Sequence, residues 1–312
     1  AQAASAAARP AKKRLLVRHR KGITALVVAA DGSAVAVADA DGMVRLLDPS
    51  GSLETRVIKA HGGLAAAGLV FSADGRTLVT VGRDSVAQVW NVDTGQRRLT
   101  LRGHEHPLRA LAASADGGLI ATAGEETRVM VWDGAKGKLL RVLSGNTDFV
   151  NAVAVSPDGR WVAGGDADAR ILVWESATGK LLHTLRGHAD EVNAVVFSAD
   201  GKFIASAGED GKVMLWDMAS GLQVHAFSGH SDAVRVLAFN RDASLLAGGT
   251  RDGGVAVWAM ATRSLAQHLK GSQTPINALS FGGVNKTRVF AGNEAGRILS
   301  WTVSGSAAAV AR

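Results

Sequence analysis

The chain of 312 residues contains no cysteine and only five prolines. Without cysteine it can form no disulfide, thiolate metal site, iron–sulfur cluster or cysteine nucleophile. Its longest apolar runs, such as residues 64–71, have about eight residues, whereas a membrane-spanning helix needs roughly 20. No membrane span is therefore predicted. The 47% of hydrophobic residues and 20% of charged residues exclude a wholly disordered chain.

Acidic residues are missing from the first 22 positions, which hold seven Lys and Arg. The remaining 290 residues balance 28 basic against 28 acidic side chains, so the net charge of +7 is assigned to the N-terminal segment. Nucleic-acid binding needs a basic patch on a folded surface, and nucleic acid is not the expected partner. Residues 1–13 are interpreted as a flexible, basic, Ala-rich leader.

The sequence begins Ala-Gln-Ala, which is typical of the residues left after signal-peptidase cleavage. This start predicts an exported protein, periplasmic or secreted. The alternative is a cytoplasmic protein whose first residue reflects an arbitrary boundary or removal of the initiating Met.

Tryptophan recurs with nearly constant spacing. The steps between successive members are 42, 42, 42, 42 and 43 residues, and one further step back reaches Leu47 in a similar context. The members are Trp90, Trp132, Trp174, Trp216, Trp258 and Trp301. Seven units of this length are typical of four-stranded propeller blades.

Residues 188–229 show the content of one unit. Short strands rich in β-branched residues are predicted at 191–197, 202–208, 212–217 and 222–228, separated by tight turns such as Asp-Gly. One such sheet has two apolar faces that only neighbouring units can cover. The sequence therefore predicts an all-β, seven-bladed β-propeller of four-stranded antiparallel blades as a single domain over residues 14–303, followed by a tail at 304–312.

The two ends of the repeat complement each other. Residues 14–17 (RLLV) precede His19 as an outer strand precedes the next unit, whereas the last unit is followed by a weak strand pattern. Residues 14–18 are therefore predicted to complete the seventh blade, which closes the ring and removes a free sheet edge.

With these repeats, residues 14–302 resemble the WD40-repeat family. That resemblance implies a structural tetrad in each blade: His before the first strand, Ser or Thr in the second, Asp in the next turn and Trp in the third. Three units match it, with Glu in place of Asp in one. The matching sets are His188, Ser206, Asp210 and Trp216; His61, Thr80, Asp84 and Trp90; and His104, Thr122, Glu126 and Trp132.

The other four units lack part of the tetrad. Gly164 and Gly248 take the Ser/Thr position, and Ala295 takes the Asp position of the last unit. In the matching units the chain of donors and acceptors satisfies a buried His and a Trp indole. Since the sets recur in several blades, they are interpreted as structural and not as catalytic triads. No metal, cofactor or enzymatic activity is predicted.

The resemblance also directs attention to one face, around the channel, where such propellers usually bind partners. Two sets of positions lie there. The first is Thr24, Ala67, Arg109, Asn151, Asn193, Arg235 and Asn277; the second is Ala40, Arg83, Glu125, Ala167, Glu209, Arg251 and Glu294. Polar residues on strands otherwise built from Val, Ala and Leu indicate a binding rim, and Phe149 and Pro275 add apolar anchors.

Three functions are consistent with this sequence. The first is a non-catalytic scaffold that docks a protein or peptide on its polar channel-mouth face. The second is an accessory subunit of a larger exported multiprotein assembly, with a redox complex as one candidate, bound through rim or bottom loops. The third is an enzyme using Glu125, Glu209 or Glu294, which has the least support because fold alone does not imply activity.

Overall fold

The computed structural model describes residues 13–48, 50, 53–282 and 287–303. Residues 1–12 of the predicted leader and the whole predicted tail, 304–312, lie outside the described residues. Lys13, assigned to the leader, is the first residue of a strand.

Seven four-stranded antiparallel sheets make up the regular structure of the described residues. Blade one contains β2 to β5, and each later blade takes the next four strands, up to blade seven with β26 to β28 and β1. The strands are β1 Lys13–Arg18, β2 Ile23–Val28, β3 Val35–Asp39, β4 Met43–Leu47, β5 Glu54–Lys59, β6 Ala66–Phe71, β7 Thr77–Gly82, β8 Ala87–Asn91, β9 Arg97–Leu101, β10 Leu108–Ala113, β11 Leu119–Gly124, β12 Val129–Asp133, β13 Leu139–Leu143, β14 Val150–Val155, β15 Trp161–Asp166, β16 Arg170–Glu175, β17 Leu181–Arg186, β18 Val192–Phe197, β19 Phe203–Gly208, β20 Val213–Asp217, β21 Gln223–Phe227, β22 Val234–Phe239, β23 Leu245–Thr250, β24 Val255–Ala259, β25 Ser264–Leu269, β26 Ile276–Gly282, β27 Arg288–Asn293 and β28 Arg297–Thr302.

The ring closes without a covalent link between its ends. Strand β1 pairs antiparallel with β28, with Lys13 opposite Trp301 and Leu15 opposite Leu299. This confirms the predicted seven-bladed propeller and its N-terminal outer strand, which begins one residue earlier than expected. Chain ends that pair in this way leave no inner strand of blade seven exposed.

The turns between first and second strands follow from their sequence. In blade two the Asp74 carboxylate accepts hydrogen bonds from the Ser72 hydroxyl at 2.6 Å and from the Arg76 amide at 3.0 Å. Gly75 adopts a φ of +68°, a left-handed value that glycine reaches without strain. The Ser-x-Asp-Gly pattern of several blades is thus a self-capped turn that sets the hairpin.

The hydrophobic core lies between the blades. Seven clusters of buried side chains are found, and each joins two neighbouring blades, including blade seven with blade one. The second and third strands are almost wholly buried, whereas outer strands such as β13 are mostly exposed. This pattern places functional side chains at the strand ends, where they border the channel.

Among the described residues, none forms a helix of the length and apolarity needed to cross a bilayer. Within the same residues, no group of three or more His, Cys, Asp or Glu side chains is arranged to hold a metal ion.

Candidate binding site at the channel mouth

The first candidate set of the sequence falls on one repeated irregularity. In every blade the register between first and second strands shifts around the second residue of the first strand, as between Leu108 and Ala110 in blade three. Arg109 is therefore an extra, bulged residue, and such bulges re-aim a side chain. The seven bulged residues, which we call the mouth ring, are Thr24, Ala67, Arg109, Asn151, Asn193, Arg235 and Asn277.

Polar bonds cross every blade interface at this level. In five of the seven interfaces, a mouth-ring side chain of one blade donates a hydrogen bond to the first strand of the next blade. In the other two interfaces, the acceptor is a glutamate carboxylate of the next blade. The donor and acceptor pairs are Thr24 with the Ala66 carbonyl, Arg83 with Glu125, Arg109 with Asn151, Asn151 with Glu191, Asn193 with the Val234 carbonyl, Arg235 with Asn277, and Asn277 with the Ile23 carbonyl. The mouth ring, together with the Arg83–Glu125 pair, therefore connects the blades circumferentially.

Two glutamates of the second candidate set neutralise arginines at the channel mouth. Glu125 Oε1 accepts from Arg109 at 3.1 and 3.2 Å and from Arg83 at 3.4 Å. Glu209 pairs with Arg251 and accepts from Asn193 at 3.0 Å. These carboxylates are thus already engaged in hydrogen bonds within the protein.

Arg235 differs from the other arginines of the mouth. Its described hydrogen bond joins Nη1 to the neutral Oδ1 of Asn277 at 3.1 Å, and no carboxylate of the described residues lies within ion-pair distance. It is half-buried and lines a polar cavity of about 450 Å³. A guanidinium in this setting retains donors that can bind an incoming carboxylate.

Phe149 provides an apolar contact beside this cavity. It is 43% exposed, and the Arg109 guanidinium lies 5.6 Å from its ring centroid. An exposed aromatic stacked on an arginine resembles the residue pairs that dominate protein interfaces.

The other side of the mouth is built from small residues. Thr24, Ala67 and Ala65 border a second depression of about 250 Å³, which reaches Arg83 and Glu125. Ala40, Ala167 and Glu294 lie in the loops between second and third strands, as their positions in the repeat require. The structure thus brings the two candidate sets to one face.

One residue of this face, Glu191, was not predicted from the sequence. Glu191, which precedes β18, accepts a hydrogen bond from Asn151 at 3.1 Å and lines the 450 Å³ cavity. It occupies the same position in its repeat as Phe149 and Pro275. Since Phe149 and Pro275 are predicted to lie at the channel mouth, the 42-residue repeat also predicts Glu191 there.

The three complete tetrads are assembled below this face. His188 places Nδ1 3.0 Å from Asp210 and Nε2 2.8 Å from Ser206, whose hydroxyl also accepts the indole N–H of Trp216 at 2.8 Å. Equivalent contacts link His61 to Asp84 and Thr80, with Trp90 donating to Thr80, and link His104 to Glu126 and Thr122, with Trp132 donating to Thr122.

The electrostatics of the tetrad histidines are set mainly by burial. Burial lowers the pKa of His61, His104 and His188, and the neighbouring carboxylates oppose this effect only in part. The imidazoles are therefore neutral at pH 7, with Nδ1–H donating to the carboxylate and Nε2 accepting from the hydroxyl.

Blades without the Ser or Thr satisfy their tryptophan differently. The indole N–H of Trp174 donates to the Ser144 carbonyl at 3.1 Å, and that of Trp258 donates to the Ser228 carbonyl at 2.6 Å. Gly164 leaves space here, because a Cβ on it would lie 3.2 Å from the Trp174 ring. Backbone carbonyls thus supply the acceptor that the incomplete tetrads lack.

The comparison with protein families agrees with this architecture. The family model described as WD domain, G-beta repeat matches residues 11–48, 53–91, 95–133, 137–175, 179–217 and 221–259. These matches cover well over half of the chain, which therefore belongs to the WD40-repeat family. Strands β26 to β28 of the seventh blade lie outside the matched ranges. No curated protein sequence matches the chain significantly.

Proposed function

We propose that this protein is a non-catalytic scaffold that docks a protein or peptide partner on the mouth ring. Propellers of this family commonly serve as scaffolds for protein interactions. The observation that carries the proposal is Arg235, which lines the polar cavity with no carboxylate of the described residues within ion-pair distance. The exposed Phe149 stacks on Arg109, which lines the same cavity. A partner that offers an acidic side chain and an apolar contact fits both.

The state of the glutamates also favours a non-catalytic role. Of the three glutamates that an enzyme could use at this mouth, Glu125, Glu209 and Glu294, the first two are held by arginines. A general acid or base needs a free position from which to exchange its proton with substrate. Binding is therefore the better interpretation of these residues.

The test is affinity purification from the native host, followed by mass spectrometry, with the double variant Phe149→Ala/Arg235→Glu. We expect a partner captured by the wild type to be lost. These substitutions spare Arg109 and Arg251, whose ion pairs tie the ring together. The matched control is Leu222→Ser, which changes a residue that is 66% exposed on the outer rim. Equal capture by the double variant would reject the mouth ring as the docking site.

The accessory-subunit function has its own supporting observation. Strand β13 exposes Leu139, Leu140 and Val142, which are 38, 36 and 44% exposed, on the outer rim of blade three. Neighbouring exposed apolar residues mark interaction sites. If this rim is the interface, Leu140→Glu/Val142→Glu should release the protein from its assembly, whereas the mouth variant should remain bound. Retention of the rim variant would reject this candidate.

A further inference from the structure

The net positive charge of the described residues is concentrated on blade seven. Residues 22–269 contain 23 Lys and Arg against 27 Asp and Glu. The described residues of blade seven and its flanking loops, 13–21 and 270–303 without the gap, hold eight basic side chains and a single acid, Glu294. The eight are Lys13, Arg14, Arg18, Arg20, Lys21, Lys270, Arg288 and Arg297. Five of the seven N-terminal basic residues thus belong to a folded surface and not to the leader.

Blade four shows how an arginine at the start of the third strand is neutralised. Arg170 opens its third strand, and its guanidinium lies 2.9 Å from Asp166 and 3.6 Å from Asp168. Arg297 opens the third strand of blade seven at the equivalent position.

In blade seven both carboxylates have been replaced. Asn293 stands where Asp166 stands, and its Oδ1 still accepts the Arg297 amide at 2.9 Å, so the backbone geometry is preserved. Ala295 stands at the position of Asp168. Arg297 therefore keeps its place in the turn but has lost both counter-charges.

The neighbouring strand adds a like charge. Arg18 of β1 lies directly opposite Arg297 of β28, and both are exposed. Like charges in directly opposed positions destabilise a sheet. Within the described part of the chain, neither guanidinium lies within ion-pair distance of a carboxylate. An external anion would relieve this repulsion.

Arg297 borders a groove between blades six and seven. This groove has a volume of about 640 Å³, and its basic walls include Lys13, His268, Lys270 and Arg297. Its acidic residue is Asp252, whose carboxylate accepts hydrogen bonds from the hydroxyls of Ser231 and Thr250.

We infer that the upper rim of blade seven, formed by Lys13, Arg18, Lys270 and Arg297, is a second docking surface that binds an acidic segment of a partner protein. Arginine is suited to paired recognition of carboxylates. Leu15, 56% exposed on the same strand, offers an apolar contact. No Phe or Trp of the described residues lines the groove, so this rim lacks the large aromatic stacking platform of single-strand nucleic-acid sites. The surface does not depend on the mouth ring.

The experiment measures binding of a fluorescein-labelled poly-L-glutamate peptide to the full chain by anisotropy at increasing salt. We expect Arg297→Gln to weaken binding about fivefold at low salt. Ala295→Asp should weaken it similarly, because it restores the carboxylate that blade four places beside its arginine. The matched control, Arg128→Gln, removes a charge already paired with Glu126 at 2.8 Å and should leave affinity unchanged.

The two variants also separate binding from folding. Ala295→Asp should keep or raise the thermal midpoint while affinity falls, which a merely structural loss cannot produce. Equal affinity of wild type, Arg297→Gln and Ala295→Asp would overturn the proposal. So would tighter, Arg297-dependent binding of a 20-base-pair DNA duplex or of phosphatidylserine vesicles, which would assign the rim to those anions instead.

Discussion

At the residue scale, one hydroxyl completes each full tetrad. Thr122 Oγ1 accepts from the Trp132 indole at 2.8 Å and contacts His104 Nε2 at 2.7 Å. Both partners are buried, so neither can turn to water when the hydroxyl is absent. In blades four and six, which have glycine at this position, the tryptophan indole donates to a backbone carbonyl instead.

Thr122→Val should therefore destabilise the protein without changing its shape. We expect a loss of about 1–3 kcal/mol in the free energy of unfolding, measured by urea titration, because two buried polar groups lose a partner. Thr184→Val, on the exposed face of β17, serves as control and should change stability by less than about 0.5 kcal/mol. A near-zero effect of Thr122→Val would show that a carbonyl replaces the hydroxyl.

The buried histidines also predict how stability depends on pH. Burial lowers the pKa of His61, His104 and His188 below the ordinary value of 6.5. The unfolded chain then binds more protons than the folded chain at pH values between the lowered pKa and 6.5. Stability is full above pH 6.5 and falls as the pH drops through that window.

Urea unfolding at pH 7.5 and at pH 5.5 should show a lower free energy of unfolding at the lower pH. The difference should shrink in His188→Asn, which removes one of the protons taken up on unfolding. The pKa values of turn aspartates such as Asp74 are lowered, so these groups change stability only at more acidic pH. They do not alter the difference between pH 7.5 and pH 5.5. A wild type that is equally stable at both values would contradict neutral, buried imidazoles.

At the element scale, blades fit together through complementary residue sizes. A Cβ on Gly249 of β23 would lie 2.5 Å from Ile276 Cγ2, at the start of the next blade. Gly165 stands in the same relation to Val192. Blade five has Ala207 at this position, facing Val234. At Gly249 and Gly165, glycine thus allows the close approach of the next blade and is not needed for its backbone freedom.

Gly249→Ala should lower the free energy of unfolding by about 1–3 kcal/mol through overpacking. Combining it with Ile276→Leu, which removes the Cγ2 methyl group at the contact while keeping the side-chain volume, should recover part of that loss. The two single variants and the double variant form a cycle whose interaction energy is read from urea titrations. Strict additivity would mean that the two residues do not press against each other.

At the scale of the whole molecule, closure depends on β1. This strand is the outer strand of blade seven, and Leu16 packs against the cluster between blades seven and one. Its removal would expose the edge of β28 and part of that cluster. The other blades draw all four strands from one continuous stretch of chain, so the weakest junction is expected here.

Deletion of residues 1–18 should lower the thermal midpoint by about 10 °C or more, because the ring loses its closing strand. The matched control is a deletion of residues 1–12, which leaves β1 whole. Differential scanning calorimetry measures both. If the two truncated chains melt at the same temperature, the closing strand contributes nothing to stability.

Much of this architecture could be predicted from sequence. The tryptophan spacing indicated seven blades, the Asp-Gly turns indicated their hairpins, and residues 14–18 indicated the closing strand. These features are local or periodic, so residue order alone carries them. The acceptors of Trp174 and Trp258 could not be predicted, because a backbone carbonyl has no sequence signature.

The sequence by itself determined how many sheets form and which faces they bury, since strand alternation and repeat length suffice for both. Only the tertiary structure decided which charges are neutralised. Arg109 and Arg235 look equivalent in the repeat, yet Arg109 meets Glu125 and Arg235 meets no carboxylate of the described residues. The carboxylate of Glu125 comes from a loop of the same blade, and its distance from the guanidinium depends on the bulge that aims Arg109.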